Sequence, residues 1–135
     1  MTALSPEARL LEIAREEVFR AVRIFGQTAS EQFQLLTSGT VEIRVLDPID
    51  FVSEDSDALA EATFGEKDRD LWQFNLSTEL AREDAKEEKV RQIVRHELGH
   101  VQAGIDVGHG EAWVAATERL GGFAEAACPK GWLFE

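Results

Sequence analysis

"HELGHVQAGIDVGHG", from His96 to Gly110, holds all three histidines of the 135-residue chain: His96, His100 and His109. Its first five residues have the pattern HExxH. On a helix His96 and His100 stand one turn apart, about 40° round the axis, so both imidazoles reach one metal ion. Glu97 lies about 60° from His100 on the same side. Its carboxylate can reach a group bound to that ion. The flanking residues predict that this is a helix. "REDAKEEKVRQIVRHELGHVQAG" runs from Arg82, with acids early and then lysines, to Gly104 as its stop. Val90, Ile93, Val94, Leu98 and Val101 occupy one arc of it. Glu97 falls inside that arc and the two histidines border it, while Arg91, Gln92, Arg95 and Gln102 point away. A carboxylate in an apolar stripe is costly to bury unless something compensates it, and a dication beside it would do so.

Two histidines do not complete a catalytic zinc site, which needs three protein ligands and an open position. The candidates for the third are His109, Asp106, Glu118 and Glu125. Asp106 is six residues after His100, the metzincin spacing. The metzincin glycine is missing, however, because position 103 is Ala. The Met-turn is missing too, because Met1 is the only methionine. Glu118 would be a thermolysin-type ligand from a following helix. His109 is the best placed. Gly104, Gly108 and Gly110 let the chain leave the first helix and double back, setting His109 at the start of the next helix.

Working outward, "GEAWVAATERLGG" reads as that next helix with a Gly-Gly exit. Trp113 is expected to pack between the two helices. Upstream, "LWQFNLS" places Trp72, Phe74 and Leu76 on one face of a strand. "TVEIRVLD" alternates Val41, Ile43 and Val45 against Glu42 and Arg44. "ALAEATF" reads as a further strand, although Ala and Glu also suit a helix, and "FGEKDRD" reads as a turn. Ser5, Pro6 and Glu7 form a helix start. Leu10, Leu11, Ala14, Val18, Ala21, Val22 and Phe25 follow at helical spacing, and Gly26 ends the run. "SEQFQLLTSG" is a second helical piece stopped by Gly39. In the tail, Trp132, Leu133 and Phe134 are expected to fold back on the core. Helices, then two or three strands, then helices make an α+β class, expected as one domain over residues 1–135.

Composition narrows the function. The net charge of −12 repels phosphate backbones, so nucleic acid is not an expected partner. No apolar run is long enough to span a membrane, and the charged N-terminus lacks a secretory h-region, so a cytoplasmic protein is expected. The single cysteine, Cys128, excludes an internal disulfide and a CxxC knuckle.

"HELGH…HGEAWVAATERLGG" resembles the SprT-like zinc metallopeptidases, with their HExxH, variable loop, His-Gly-x-x-aromatic and Leu-Gly exit. "LWQFNLSTEL" resembles the strand that leads into their active-site helix. The likeness spans roughly residues 40–122 and is clearest over 71–122. It implies a zincin-like fold and a zinc-dependent endopeptidase acting on protein or peptide substrates. His96, His100 and His109 would be the Zn2+ ligands and Glu97 the general base and acid. The eight residues between His100 and His109 are fewer than in SprT and more than in the related WLM peptidases. The family's cysteine-rich ribbon and basic character are absent, so cleavage of DNA–protein crosslinks is not carried over. No Tyr or fourth His is present as an oxyanion helper; Arg95 and Arg119 are the remaining candidates, and both read as solvated surface charges. Two other readings are a regulatory metallopeptidase of the ImmA/IrrE type and a non-catalytic, zinc-stabilised interaction domain. Glu97 argues against the second, since a purely structural site has no need of it.

Overall fold

The computed structural model describes residues 4–53, 55, 57–65, 71–105, 107–129 and 131–135. Helix α1 (Pro6–Phe25) starts as the sequence predicts. Ser5 Oγ accepts the Ala8 N–H at 3.1 Å, Pro6 takes the first helical position, and Gly26 ends the helix with φ 55°. A short α2 (Gln32–Thr37) follows.

Three strands, β1 (Ile43–Leu46), β2 (Ala60–Phe64) and β3 (Trp72–Ser77), make one sheet in the order β1-β3-β2. The central β3 runs parallel to β1 and antiparallel to β2, with Phe74 facing Ile43 on one side and Ala62 on the other. Trp72, Phe74 and Leu76 are buried in one core with Leu10, Ala14 and Val18 of α1 and with Ile93, Val94 and Leu98 of the helix that follows. The opposite face is not open to water, as a simple alternation would have it. Asn75 and Ser77 are fully buried as well. Asn75 Nδ2 donates to Glu61 Oε2 at 2.7 Å, and the same carboxylate accepts the Val52 and Ser53 N–H groups at 2.8 and 3.1 Å. The β1–β2 connection is thereby tied over the sheet, with Phe51 beneath it at 2% exposure. These ties make "ALAEATF" a strand despite its helix-forming residues. Most of "FGEKDRD" lies outside the described residues.

Helix α3 (Glu87–Ala103) begins at Glu87 rather than near Arg82. Residues 82–85 form a turn instead, in which Ala85 N–H meets the Arg82 carbonyl at 3.1 Å. Arg82 holds Glu79 and Asp84 across that turn. Lys86 is extended, and its N–H donates to the carbonyl of Leu133 at 3.1 Å. The tail therefore folds back as expected, with Leu133 buried.

A second correction concerns the far side of α3. Arg91 and Arg95 do point away from the apolar arc, but their side chains are only 18% and 12% exposed. They meet Glu17, an acid within the apolar stripe of α1, at 2.9 and 2.8 Å. Burial alone would raise the Glu17 carboxyl, but hydrogen bonds from Arg95 and Arg91 outweigh it and hold it below its usual value. Arg119 is also engaged, donating to the Ile24 carbonyl at 2.9 Å and lying over the Phe25 ring.

Helix α4 (Glu111–Leu120) leaves through Gly121, which is left-handed at φ 75°, and the Gly122 N–H bonds the Thr117 carbonyl at 2.9 Å. Among the described residues, no helix is long and apolar enough to cross a membrane.

Candidate metal centre

The site lies where α3 and α4 touch. Two glycines allow the close approach. A Cβ on Gly99 would sit 1.9 Å from Thr117 Oγ1, and one on Gly122 would sit 2.7 Å from Arg95 Cβ. Thr117 is wedged between them, its hydroxyl toward Gly99 and its methyl toward Gly122. At this spacing Trp113 of α4, 1% exposed, donates its Nε1–H to the His96 carbonyl at 3.0 Å. Its ring lies 4.7, 5.3 and 4.5 Å from those of His96, His100 and His109. It packs the floor under all three imidazoles.

His96, His100 and His109 come together as the sequence predicts, with one potential ligand atom each and all three atoms within 4.8 Å of one another. His96 Nδ1 lies 2.8 Å from the Phe123 carbonyl, which leaves Nε2 to face the cluster. His100 Nε2 and His109 Nε2 stand 3.3 Å apart. That is the separation of two nitrogens each about 2.0–2.1 Å from one tetrahedral ion. The donors therefore fit a divalent ion that takes imidazole ligands, such as zinc, copper or nickel. Among the described residues, the buried His100 Nδ1 has no hydrogen-bond partner.

Burial pushes His96 and His100 down to about 4, with neighbouring imidazoles adding to the effect and the Phe123 carbonyl opposing it at His96. Both are neutral at pH 7, the form that binds a metal. Glu97 is 6% exposed, with Oε1 3.6 Å from His96 Nε2. Burial, reinforced by the nearby Glu61 carboxylate and opposed by the Ala62 N–H, pushes it up to about 8. A cation beside it would reverse that shift.

The other ligand candidates are not in the cluster. Glu118 and Glu125 are exposed, and Asp106 lies outside the described residues. Among the described residues no carboxylate joins the three imidazoles. Cys128 is half-buried, and burial pushes its thiol up, which favours the unreactive form. Two contributors escaped the sequence reading. Phe123 acts through its carbonyl, which every residue carries, so no side-chain signal existed. Glu17 did leave a signal, as an acid at helical spacing between Ala14 and Ala21.

No family model, curated protein or solved structure matches the chain.

Proposed function

We propose that this protein is a zinc-dependent endopeptidase of the SprT-like zincin type. The observation that carries the reading is the convergence of three imidazoles with Glu97 buried beside them and no carboxylate among the described residues closing the set. That arrangement favours an open, catalytic site over a closed structural one. A zinc ion there would supply Lewis acidity, making water a nucleophile near neutral pH and polarising the scissile carbonyl. Glu97 takes the proton of the attacking water as the new C–O bond forms, then passes it to the leaving nitrogen as the C–N bond breaks.

The sheet supplies a bed for an extended peptide. Ser77 N–H bonds the Leu59 carbonyl at 2.9 Å. By the alternation of an antiparallel ladder, Ala60, Ala62 and Phe64 then turn their backbone groups to the outer edge of β2, which pairs with no further strand among the described residues. The Ala62 N–H is near enough to the Glu97 carboxyl to pull its pKa down against burial. A substrate strand added to β2 would pass directly by Glu97.

The test is the zinc content of the purified protein, with casein cleavage on the same samples. We expect about one zinc per wild-type chain, loss of metal in His109→Ala, and retained metal without cleavage in Glu97→Gln. If the wild type lacks zinc, or Glu97→Gln still cleaves, the reading is wrong. If His109→Ala keeps its metal, the third ligand is another residue, with Asp106 first in line.

A further inference from the structure

We propose that Arg95 is a positioning residue for the metal centre. It holds the Gly121–Phe123 turn so that the Phe123 carbonyl takes the Nδ1–H of His96 and leaves Nε2 free for the ion. The inference rests on the reading that His96 Nε2 is a metal ligand.

The contacts form a closed path. Arg95 is anchored by Glu17, with Nε to Oε1 at 2.8 Å and Nη2 to Oε2 at 3.3 Å. Its Nη1 reaches the Gly121 carbonyl at 3.2 Å, and Glu88 Oε1 at 3.3 Å. Gly122 packs on the Arg95 backbone so closely that an added Cβ would lie 3.0 Å from the Arg95 carbonyl carbon. The Phe123 N–H bonds the Gln92 carbonyl at 3.1 Å, and the Phe123 carbonyl meets His96 Nδ1 at 2.8 Å. The turn carries two adjacent glycines, and its own backbone bonds, Gly121 N–H to the Glu118 carbonyl and Gly122 N–H to the Thr117 carbonyl, tie it to α4 rather than to α3. Arg95 is the side chain that ties it to α3. The guanidinium fork suits the task because it grips the carboxylate with one edge and the carbonyl with another. Which nitrogen of a histidine is protonated is set by the bond its other nitrogen makes. If the turn drifts from α3, the proton is free to occupy Nε2 and block the ligand position.

The test uses metal-free, 15N-labelled full-length protein near neutral pH. Long-range 1H–15N correlation reads which nitrogen of His96 carries the proton. Zinc affinity is measured on the same samples by competition with a chelating dye. We expect Nδ1–H in the wild type. Arg95→Met should move part of the proton to Nε2 and weaken zinc binding about 10–100-fold. Arg95→Lys, which cannot grip Glu17 and Gly121 together, should fall between. Gly122→Ala perturbs the same turn from the other side, so it decides the matter should Arg95→Met fail to fold. Folded Arg95→Met or Gly122→Ala protein that keeps both the wild-type tautomer and the wild-type zinc affinity would overturn the proposal. A wild type that binds no zinc overturns the metal reading instead, and the two failures are distinguishable because the tautomer is read without metal.

Discussion

A single methyl group at Gly99 should open the seam between α3 and α4. On an exposed helix, Gly→Ala gains about 1 kcal/mol. At Gly99 the new Cβ would lie 1.9 Å from Thr117 Oγ1, and 3.1 Å from both Thr117 Cβ and Trp113 Nε1. The helices must part by roughly 1 Å, and overpacking of this kind costs about 1–3 kcal/mol. Parting them also stretches the bond from Trp113 to the His96 carbonyl, now 3.0 Å, for about 1 kcal/mol more. After the helix gain is subtracted, Gly99→Ala should lose about 2 kcal/mol. Urea unfolding in the presence of chelator measures this without a metal contribution. Thr117→Ala supplies the second corner of a double-mutant cycle. Thr117 Oγ1 is buried without a hydrogen-bond partner among the described residues, so its removal alone should cost about 1 kcal/mol or less. With Oγ1 gone, the nearest contacts to the Gly99→Ala methyl are those at 3.1 Å, and most of the penalty should vanish. A coupling of about 1–2 kcal/mol is expected. The reasoning is refuted if Gly99→Ala is as stable as wild type, or if its cost is the same with Thr117→Ala present.

Stability of the metal-free protein should peak near pH 6.5. His96 and His100 fall from 6.5 to about 4 on folding, so the unfolded chain binds more protons below 6.5 and stability drops as pH falls. Glu97 rises from 4.5 to about 8, so the folded chain binds the extra proton and stability drops as pH climbs toward 8. Between pH 6.5 and 8 the Glu97 contribution is about 2 kcal/mol. Chemical denaturation at the two pH values should show this decline in wild type and not in Glu97→Gln; equal slopes would refute it. Glu17→Gln should cost about 3 kcal/mol by leaving Arg91 and Arg95 half-buried without their shared partner, and a melting temperature within a degree or two of wild type would argue against it. The Glu17 carboxyl lies below its usual value in the fold, so its contribution is present above pH 4.5 and is lost as pH falls further. Trp113→Phe keeps most of the ring packing but drops the donor to the His96 carbonyl. It should destabilise by about 1 kcal/mol and loosen metal binding, which calorimetric titration with zinc would read.

Much of this architecture can be read from local chemistry. Ser5, Pro6 and Gly26 bound α1 because capping and backbone freedom are properties of single residues. Trp72, Phe74 and Leu76 mark β3 by alternation, and the phase of Glu97 against Val94, Leu98 and Val101 sets the site on the buried side of α3. What escaped depends on chain segments far apart in sequence. At the late start of α3 the N–H of the extended Lys86 is held by the Leu133 carbonyl, 47 residues away in sequence. Arg91 and Arg95 resemble solvated charges until α1 is docked with Glu17 against them. The second buried face of β3 is invisible in its own alternation, because Asn75 is satisfied by Glu61 from another strand. The hold on His96 passes through a carbonyl, which no side-chain pattern reports.

The sheet order also governs how the chain meets water while it is being made. β1 and β2 are neighbours along the chain but not in the sheet, and the strand that separates them is the last to be synthesised. From Leu46 to Ser77 a ribosome working at about 5–20 residues per second needs roughly 2–6 seconds. Until β3 is made, Ile43 and Val45 of β1, and β2 once Phe64 has been added, lack their native partner strand. A direct β1–β2 hairpin formed in that interval would have to come apart before β3 could enter between them. Any insertion lengthening the segment between Phe64 and Trp72 extends the life of that wrong pairing, and with it the window for strand-to-strand association between nascent chains.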